Sequence, residues 1–180
     1  MKMIKEENAI ILDFLPYGYP LEGKTMPVAQ AIGENELILL ELIPRRGINL
    51  QLKERVYIGE GKRDKIHFIK GRLLREKLTE TAKRNLEEFI KEIVEKREKQ
   101  FVDFFNKAQP INTRIHQLEL IPGFGKKHKE EILKAREEKE FESFEDMKKR
   151  IPSIPDPRKA IEKRIFEELT EIQRHNLFVK

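Results

Sequence analysis

Cysteine and tryptophan are both absent from this chain of 180 residues. Without cysteine the protein has no disulfide and no thiolate that could bind zinc or attack a substrate. The chain also lacks an apolar run near the ~18 residues that a membrane-spanning helix needs. Residues 1–8 show none of the pattern of a signal peptide. We therefore predict a cytoplasmic protein that does not enter a membrane.

Clustered metal ligands and a phosphate-binding fingerprint are lacking as well. The histidines are isolated from one another: His67, His116, His128 and His175. The glycine-rich loop Gly59–Gly61 is followed by Lys62 and Arg63, whereas a P-loop requires Lys-Ser or Lys-Thr after its last glycine. The next residues resemble a strand, not the helix that a dinucleotide fingerprint needs. We expect no metal, no cofactor and no nucleotide hydrolysis.

Charge is what the chain has in excess. Charged residues make up 38% of it, whereas about a quarter is usual. The net charge of +5 is concentrated in residues 44–77, where 11 basic residues accompany 4 acidic ones. Positive charge gathered in one stretch indicates a polyanionic partner, although a solvated basic face would give the same pattern.

Residues 9–75 contain short apolar runs that turns separate, which is typical of a small β domain. The strand patterns cover residues 9–15, 27–33, 36–43, 50–58 and 66–69. They predict an OB-like barrel, a fold that binds oligonucleotides with its strands and loops, and an SH3-like barrel would leave much the same pattern.

Basic loops and two tyrosines mark the expected binding side of this β domain. The predicted nucleic-acid contacts here are Arg45, Arg46, Lys62, Arg63 and Lys65. Tyr17 and Tyr19 belong to the turn-rich stretch Pro-Tyr-Gly-Tyr-Pro. Aromatic side chains on such a loop either stack on bases or pack over the edge of the domain.

An amphipathic helix is predicted for residues 79–108, with Thr79 or Thr81 as its cap. At 1.5 Å per residue it would be a rod on the order of 45 Å long. We expect domains at residues 1–77 and 110–180, with this helix linking them over 78–109.

The stretch Leu120–Lys129 contains two glycines one residue apart, between two apolar periodicities of helical spacing. Asn112 and Thr113 are suited to cap the upstream helix. Glycine tolerates positive φ, and the first amides of the downstream helix have no intrahelical acceptor. Free amides, the helix dipole and adjacent lysines together make an anion site that suits a nucleic-acid phosphate.

This stretch resembles the helix-hairpin-helix family, whose turn has apolar residues alternating with glycines before a basic helix. The resemblance implies sequence-independent contact with a DNA or RNA backbone. It assigns that contact to Gly123, Phe124, Gly125, Lys126, Lys127 and Lys129. The family often has a small residue where Lys129 stands, and an ordinary αα-hairpin with a glycine turn is the alternative.

A second, altered copy of the turn follows at Ile151–Pro157, after a helix that Ser143 is expected to cap. Both glycines are replaced, by Ser153 and Pro155, and proline has no N–H to offer. We therefore interpret residues 110–180 as an all-α tandem helix-hairpin-helix domain whose second hairpin has a structural role.

Taken whole, the chain resembles an uncharacterised archaeal family that joins an OB-like β domain to a helix-hairpin-helix tail, an α+β protein. We predict a non-catalytic nucleic-acid-binding protein that favours RNA over DNA. Two alternatives remain. One is a docking module for a protein of the translation or transcription machinery. The other is a DNA glycosylase or lyase using Lys127 and Asp146, although Asp146 is also a natural first-turn acid of its helix.

Overall fold

The computed structural model describes residues 5–23 and 25–180 and confirms a mixed α+β fold, with a curled antiparallel sheet and five α-helices. The chain divides into two compact units. The first, the β unit, takes in the chain up to Glu88 together with Glu168–Lys180. The second, the helical unit, is Phe89–Glu167. The β unit is therefore discontinuous in sequence.

Five strands form one sheet in the order β4-β1-β2-β3-β5, and every neighbouring pair is antiparallel. The strands are β1 (Asn8–Leu15), β2 (Val28–Gly33), β3 (Leu39–Pro44), β4 (Arg55–Tyr57) and β5 (Ile66–Arg72). Each predicted run corresponds to one strand of the sheet, but β3 starts later and β4 is shorter than expected. Leu37 and Lys53 have φ values of 58° and 69°, and a left-handed residue interrupts an extended run.

The interior of the sheet is aliphatic, and β2 and β3 are buried along their whole length. The largest side chains of this core are fully enclosed and come from all parts of the unit: Ile11, Leu40, Leu42, Ile58 and Ile66. The apolar run that predicted a strand at residues 36–43 thus corresponds to the fully buried β3, because branched side chains pack well on a pleated surface.

A row of polar side chains crosses the sheet where Asp13, Gln30 and Glu41 stand opposite one another on β1, β2 and β3. The Gln30 side chain is fully buried and accepts a hydrogen bond from the Thr79 amide at 3.1 Å. The Tyr19 hydroxyl donates to the Glu41 carboxylate at 2.7 Å. Burial first, and the Glu41 carboxylate beside it, raise the pKa of Tyr19 well above its usual range. Tyr19 is therefore held within the domain by side chains of β2 and β3.

The predicted continuous helix is two helices, α1 (Glu80–Lys96) and α2 (Glu98–Lys107). Thr79 caps α1, accepting the Ala82 amide at 3.0 Å. Arg97 leaves the helical region with φ −110° and ψ 32°, although its amide still donates to Ile93 at 2.9 Å. Residues 79–108 contain no proline or glycine that would have indicated this break. The prediction of a single helix over 79–108 was wrong.

Three further helices complete the fold: α3 (Lys126–Glu138), α4 (Phe144–Arg150) and α5 (Pro157–Thr170). Ser143 caps α4 as predicted, accepting the Asp146 amide at 2.9 Å. The core of the helical unit comes from most of its elements: Phe101, Phe105, Leu118, Ile121, Ile132, Met147, Ile161 and Ile165.

The C-terminal tail is fastened by one buried carboxylate. Glu168 is fully buried and accepts the amides of Leu177, Phe178 and Val179 at 2.9–3.0 Å. The tail lines a cleft of about 680 Å³ in the β unit, opposite the apolar segments Leu37–Leu39 and Leu73–Leu74. The last residues of the chain are thus part of the unit that its first residues form.

Candidate nucleic-acid interface

The turn at Ile121–Phe124 is a tight reversal that requires glycine. The Phe124 amide donates to the Ile121 carbonyl at 3.0 Å, and Gly123 has φ +83°. Proline second and a positive-φ glycine third are the arrangement of a type II turn. A Cβ on Gly123 would also lie 3.3 Å from the Pro155 side chain. Substitution of Gly123 would therefore disturb the fold as well as any ligand.

Gly125 is the N-cap of α3 and has an ordinary extended conformation, with φ −99° and ψ −169°. Having no side chain, it leaves the first-turn amides of Lys127 and His128 uncapped. Its own amide donates to His128 Nδ1 at 3.2 Å. The predicted amide donor at Gly125 is thus already engaged, and the available amides are those of the first turn of α3.

The Phe124 side chain is 4% exposed and belongs to the core. Its ring centroid lies 5.8 Å from those of Phe105 and His128. Because its amide is used in the turn, Phe124 offers a ligand neither side chain nor N–H. We therefore assign it to holding the turn, not to the predicted contact.

Lysines surround the start of α3, but they are not equivalent. Lys126 and Lys127 are exposed. Lys129 is half-buried, and its Nζ lies 3.3 Å from a Glu119 carboxylate oxygen. Lys129 therefore supports the turn internally, whereas Lys126 and Lys127 project cations beside the first-turn amides. Behind the turn, the buried Arg164 guanidinium donates to the Leu120 carbonyl at 3.3 Å.

The helix expected to start at Asn112 is instead a loop and one turn of 3₁₀ helix. Asn112 Oδ1 accepts the amides of Arg114 and Ile115 at 2.8 and 2.9 Å, so it caps a local turn. The 3₁₀ segment is only Gln117–Leu120. Local side-chain hydrogen bonding of this kind competes with helix formation.

This loop adds a basic residue that the sequence reasoning did not assign. Arg114 is exposed and lines a cleft of about 230 Å³ together with Asn112, Glu119 and Lys129. The cleft adjoins the residues that support the turn. The available signal for Arg114 was an Asn two residues before it in a short polar stretch. That stretch was interpreted only as a helix start.

Acid pH should weaken the helical unit through His116. This residue is buried and its Nδ1 accepts the Leu118 amide at 3.0 Å. Burial, then the cations Arg136 and Lys129, lower the pKa of His116 below its ordinary 6.5, despite Glu119. The folded state therefore binds fewer protons, so this stabilisation is complete above pH 6.5 and is lost as the pH falls below it.

Urea midpoints at pH 7.5 and 5.0 would measure this loss. The wild type should lose more stability between the two values than His116→Asn, whose amide oxygen can accept the same hydrogen bond without titrating. Equal losses in the two proteins would assign the acid sensitivity to other groups.

The second turn, at Ile151–Ile154, has a hydrogen bond of the same span as the first, but Ser153 lacks the positive φ of Gly123 and the following helix start is not open. The Ile154 amide donates to the Ile151 carbonyl at 3.3 Å. Asp156 precedes α5, and its Oδ1 accepts the amides of Arg158 and Lys159 at 3.0 and 3.2 Å. A carboxylate of the chain itself thus occupies the place that is open at the start of α3.

The basic loops of the β unit come together. The Arg45 amide donates to the Lys65 carbonyl at 2.8 Å, and Arg45 Nε donates to the Arg63 carbonyl at 2.6 Å. Lys65 is paired with Glu54 at 2.7 Å. Arg46 and Lys62 are exposed. The charges directed to solvent therefore come mainly from Arg46, Lys62 and the ends of the two guanidinium groups.

Comparison with known proteins assigns the family. The family model described as "Protein of unknown function (DUF655)" matches residues 5–180. The chain belongs to the DUF655 family. The chain is similar to the "Uncharacterized protein MJ0038" of Methanocaldococcus jannaschii, with 45% identity over 97% of this chain and 80% of the relative. A crystal structure of Af1531 from Archaeoglobus fulgidus, also described as DUF655, has a TM-score of 0.83 and 43% identity. The match covers 97% of this chain and 100% of that one.

Within the described ranges, no helix of this DUF655 chain is long and apolar enough to cross a membrane. The same residues contain no group of three or more histidine or carboxylate side chains that could hold a metal ion. Asp146, the candidate catalytic acid, accepts the Glu142 amide at 3.1 Å and lies 3.4 Å from Arg150. Its contacts are those of a helix-capping acid.

Proposed function

We propose that this protein is a non-catalytic nucleic-acid-binding protein that contacts backbone phosphates at two places. One is the start of α3, where the amides of the first turn and the ammonium groups of Lys126 and Lys127 would hold a phosphate. The other is the basic surface formed by Arg45, Arg46 and their neighbours. We favour RNA over DNA as the ligand.

The contrast between two helix starts carries this proposal. At α5 the Asp156 carboxylate accepts two first-turn amides. At α3 the equivalent position is Gly125, which has no side chain, and two exposed lysines follow. A helix N-terminus favours an anion. The chain supplies its own anion at the start of α5 and cations at the start of α3. An external phosphate is therefore the natural ligand at the start of α3.

We also propose an OB-like barrel and a tandem helix-hairpin-helix domain as the finer description of the fold. The two turns, the first between a 3₁₀ segment and α3 and the second between α4 and α5, support a tandem helix-hairpin-helix domain whose second hairpin is structural. The five antiparallel strands, together with a chain that passes from β3 to the edge strand β4 and then to β5 at the opposite edge, support an OB-like arrangement. Both would place nucleic-acid contacts in loops, as proposed here.

Binding should be steeply dependent on salt. We would titrate the full chain with labelled structured RNA, single-stranded RNA and duplex DNA at 50, 100 and 200 mM salt. Four phosphate contacts, made by Lys126, Lys127, Arg45 and Arg46, should lower affinity on the order of a hundredfold over this range. Affinity that does not change with salt would contradict phosphate binding.

Protein docking is the second candidate, and one observation favours it. Leu21 and Met26 are 99% and 57% exposed between β1 and β2, and a docked partner protein would remove such apolar side chains from water. Failure to bind any of the three nucleic acids at 50 mM salt would favour this alternative over the proposed function.

A further inference from the structure

The loop after β1 and the basic loop after β3 lie at the same end of the sheet. Leu15, the last residue of β1, is in register with Val28, the first of β2. Ala29 is in register with Leu42 near the end of β3, and Pro44 with Ile66 at the start of β5. The antiparallel ladder therefore brings these strand ends together.

This end of the sheet presents an aromatic ring. The Gly18 amide donates to the Leu15 carbonyl at 3.1 Å, so Tyr17 stands in a tight turn directly at the end of β1. Its side chain is 79% exposed. The neighbouring Tyr19 is instead engaged with Glu41. Of the two uses that tyrosines on this loop can have, Tyr19 takes the structural one and Tyr17 is available to a ligand.

Arginines stand two strands away from this ring. Arg45 and Arg46 follow the end of β3 at once, and only β2 lies between β3 and β1. At about 4.8 Å per strand, the two strand ends are roughly 10 Å apart. A single oligonucleotide is long enough to reach both, because comparable sites bind several nucleotides.

The balance of charge at this end favours a polyanion. Arg46 and Lys62 are exposed, and the Arg45 and Arg63 guanidinium groups each use Nε within the fold, which leaves other donors of the fork for a ligand. Two of the acids nearby are paired with lysines, and Glu60 on the loop Gly59–Lys65 is exposed. Glu22 pairs with Lys77 and Glu54 with Lys65, both at 2.7 Å, while Asp64 is exposed.

We infer that this end of the sheet binds unpaired nucleotides, with a base stacked on Tyr17 and the adjoining phosphates held by Arg45 and Arg46. The inference rests on the proposed function, to which it adds a ligand class: single-stranded nucleic acid. An aromatic ring stacks on any exposed base, whereas bases inside a duplex are already stacked. Apolar neighbours such as Leu21 contribute no charge and are not required.

Tyrosine fluorescence provides a direct test, because the chain has three tyrosines and no tryptophan. The experiment uses the full chain with Gly125→Asp, which is designed to remove binding at α3, and unlabelled 12-residue oligoadenylate as RNA, as DNA and as a duplex. Both single strands should quench the emission and bind about tenfold more tightly than the duplex. RNA and DNA run in parallel identify the preferred sugar.

Variants of Tyr17 separate stacking from simple apolar contact. Tyr17→Phe should keep the single-strand affinity within about twofold but lose the quenching, since the ring stays and the fluorophore goes. Tyr17→Leu should lose about tenfold in affinity. Leu21→Ala, on the same loop, should bind as the parent does.

Three results would overturn the inference: equal affinity of Tyr17→Leu and parent, equal losses in Tyr17→Phe and Tyr17→Leu, or no preference for single strands. A fourth such result is loss of all binding on introducing Gly125→Asp, which would leave the proposed phosphate site at α3 intact. Retained single-strand binding with normal binding of structured RNA would instead contradict the site at α3.

Discussion

Gly125→Asp should abolish nucleic-acid binding at the start of α3 without harming the fold. A Cβ at Gly125 has no atom within 4 Å, and its φ is not one that requires glycine. Aspartate is a strong N-cap, so helix stability should rise by a few tenths of a kcal/mol. Its carboxylate would occupy the first-turn amides as Asp156 does at α5. We expect structured RNA to bind more than about tenfold more weakly, since like charge opposes each phosphate.

Two substitutions at the same position give matched controls. Gly125→Ala adds neither charge nor acceptor and should bind RNA close to normally. Gly125→Asn can accept the same amides without a negative charge, so its affinity should lie between the two. Filter binding at constant salt with thermal melts would compare all four proteins. Wild-type affinity in a folded Gly125→Asp protein would remove α3 from the interface.

Glu168→Gln should release the C-terminal tail. The wild-type carboxylate accepts three amides, two at Oε1 and one at Oε2. A glutamine can accept two of them with its oxygen, but its NH₂ group would then face the N–H of Leu177. A buried donor left without an acceptor, and the lost charge on the remaining bonds, should cost about 2–4 kcal/mol.

Hydrogen exchange at the amides of Leu177, Phe178 and Val179 would detect this release, as would digestion by carboxypeptidase. Glu171→Gln makes the same change of charge on an exposed neighbouring residue and should leave the tail protected. Equal protection in Glu168→Gln and Glu171→Gln would mean that packing of the tail, not the carboxylate, holds it in place.

Local signals in the sequence sufficed where one segment determines its own structure. Ser143 and Thr79 precede apolar periodicities, and both cap their helices. The glycines at 123 and 125 predicted a turn, and Gly123 adopts the positive φ that glycine tolerates. These features depend on neighbours within a few residues, which a single sequence displays directly.

Other contacts join residues ten or more positions apart, and these contacts were not predicted. Lys129 and Lys65 were counted as ligand contacts, but each pairs with an acid ten or eleven residues earlier, Glu119 and Glu54. Phe124 was assigned to nucleic-acid contact by the family resemblance, yet its ring is buried beside Phe105 of α2. Such pairings depend on the folded structure around each residue. A local sequence pattern does not contain that information.

The discontinuity of the β unit has a consequence for the order in which the chain acquires its structure during synthesis. The β unit needs Glu168–Lys180, whereas the helical unit is the uninterrupted segment Phe89–Glu167. At typical elongation rates the ribosome needs roughly 4–16 s to make that segment. Throughout this interval the cleft beside Leu37–Leu39 and Leu73 has no tail to line it. The helical unit, which comes later in the sequence, is therefore the first whose residues are all available.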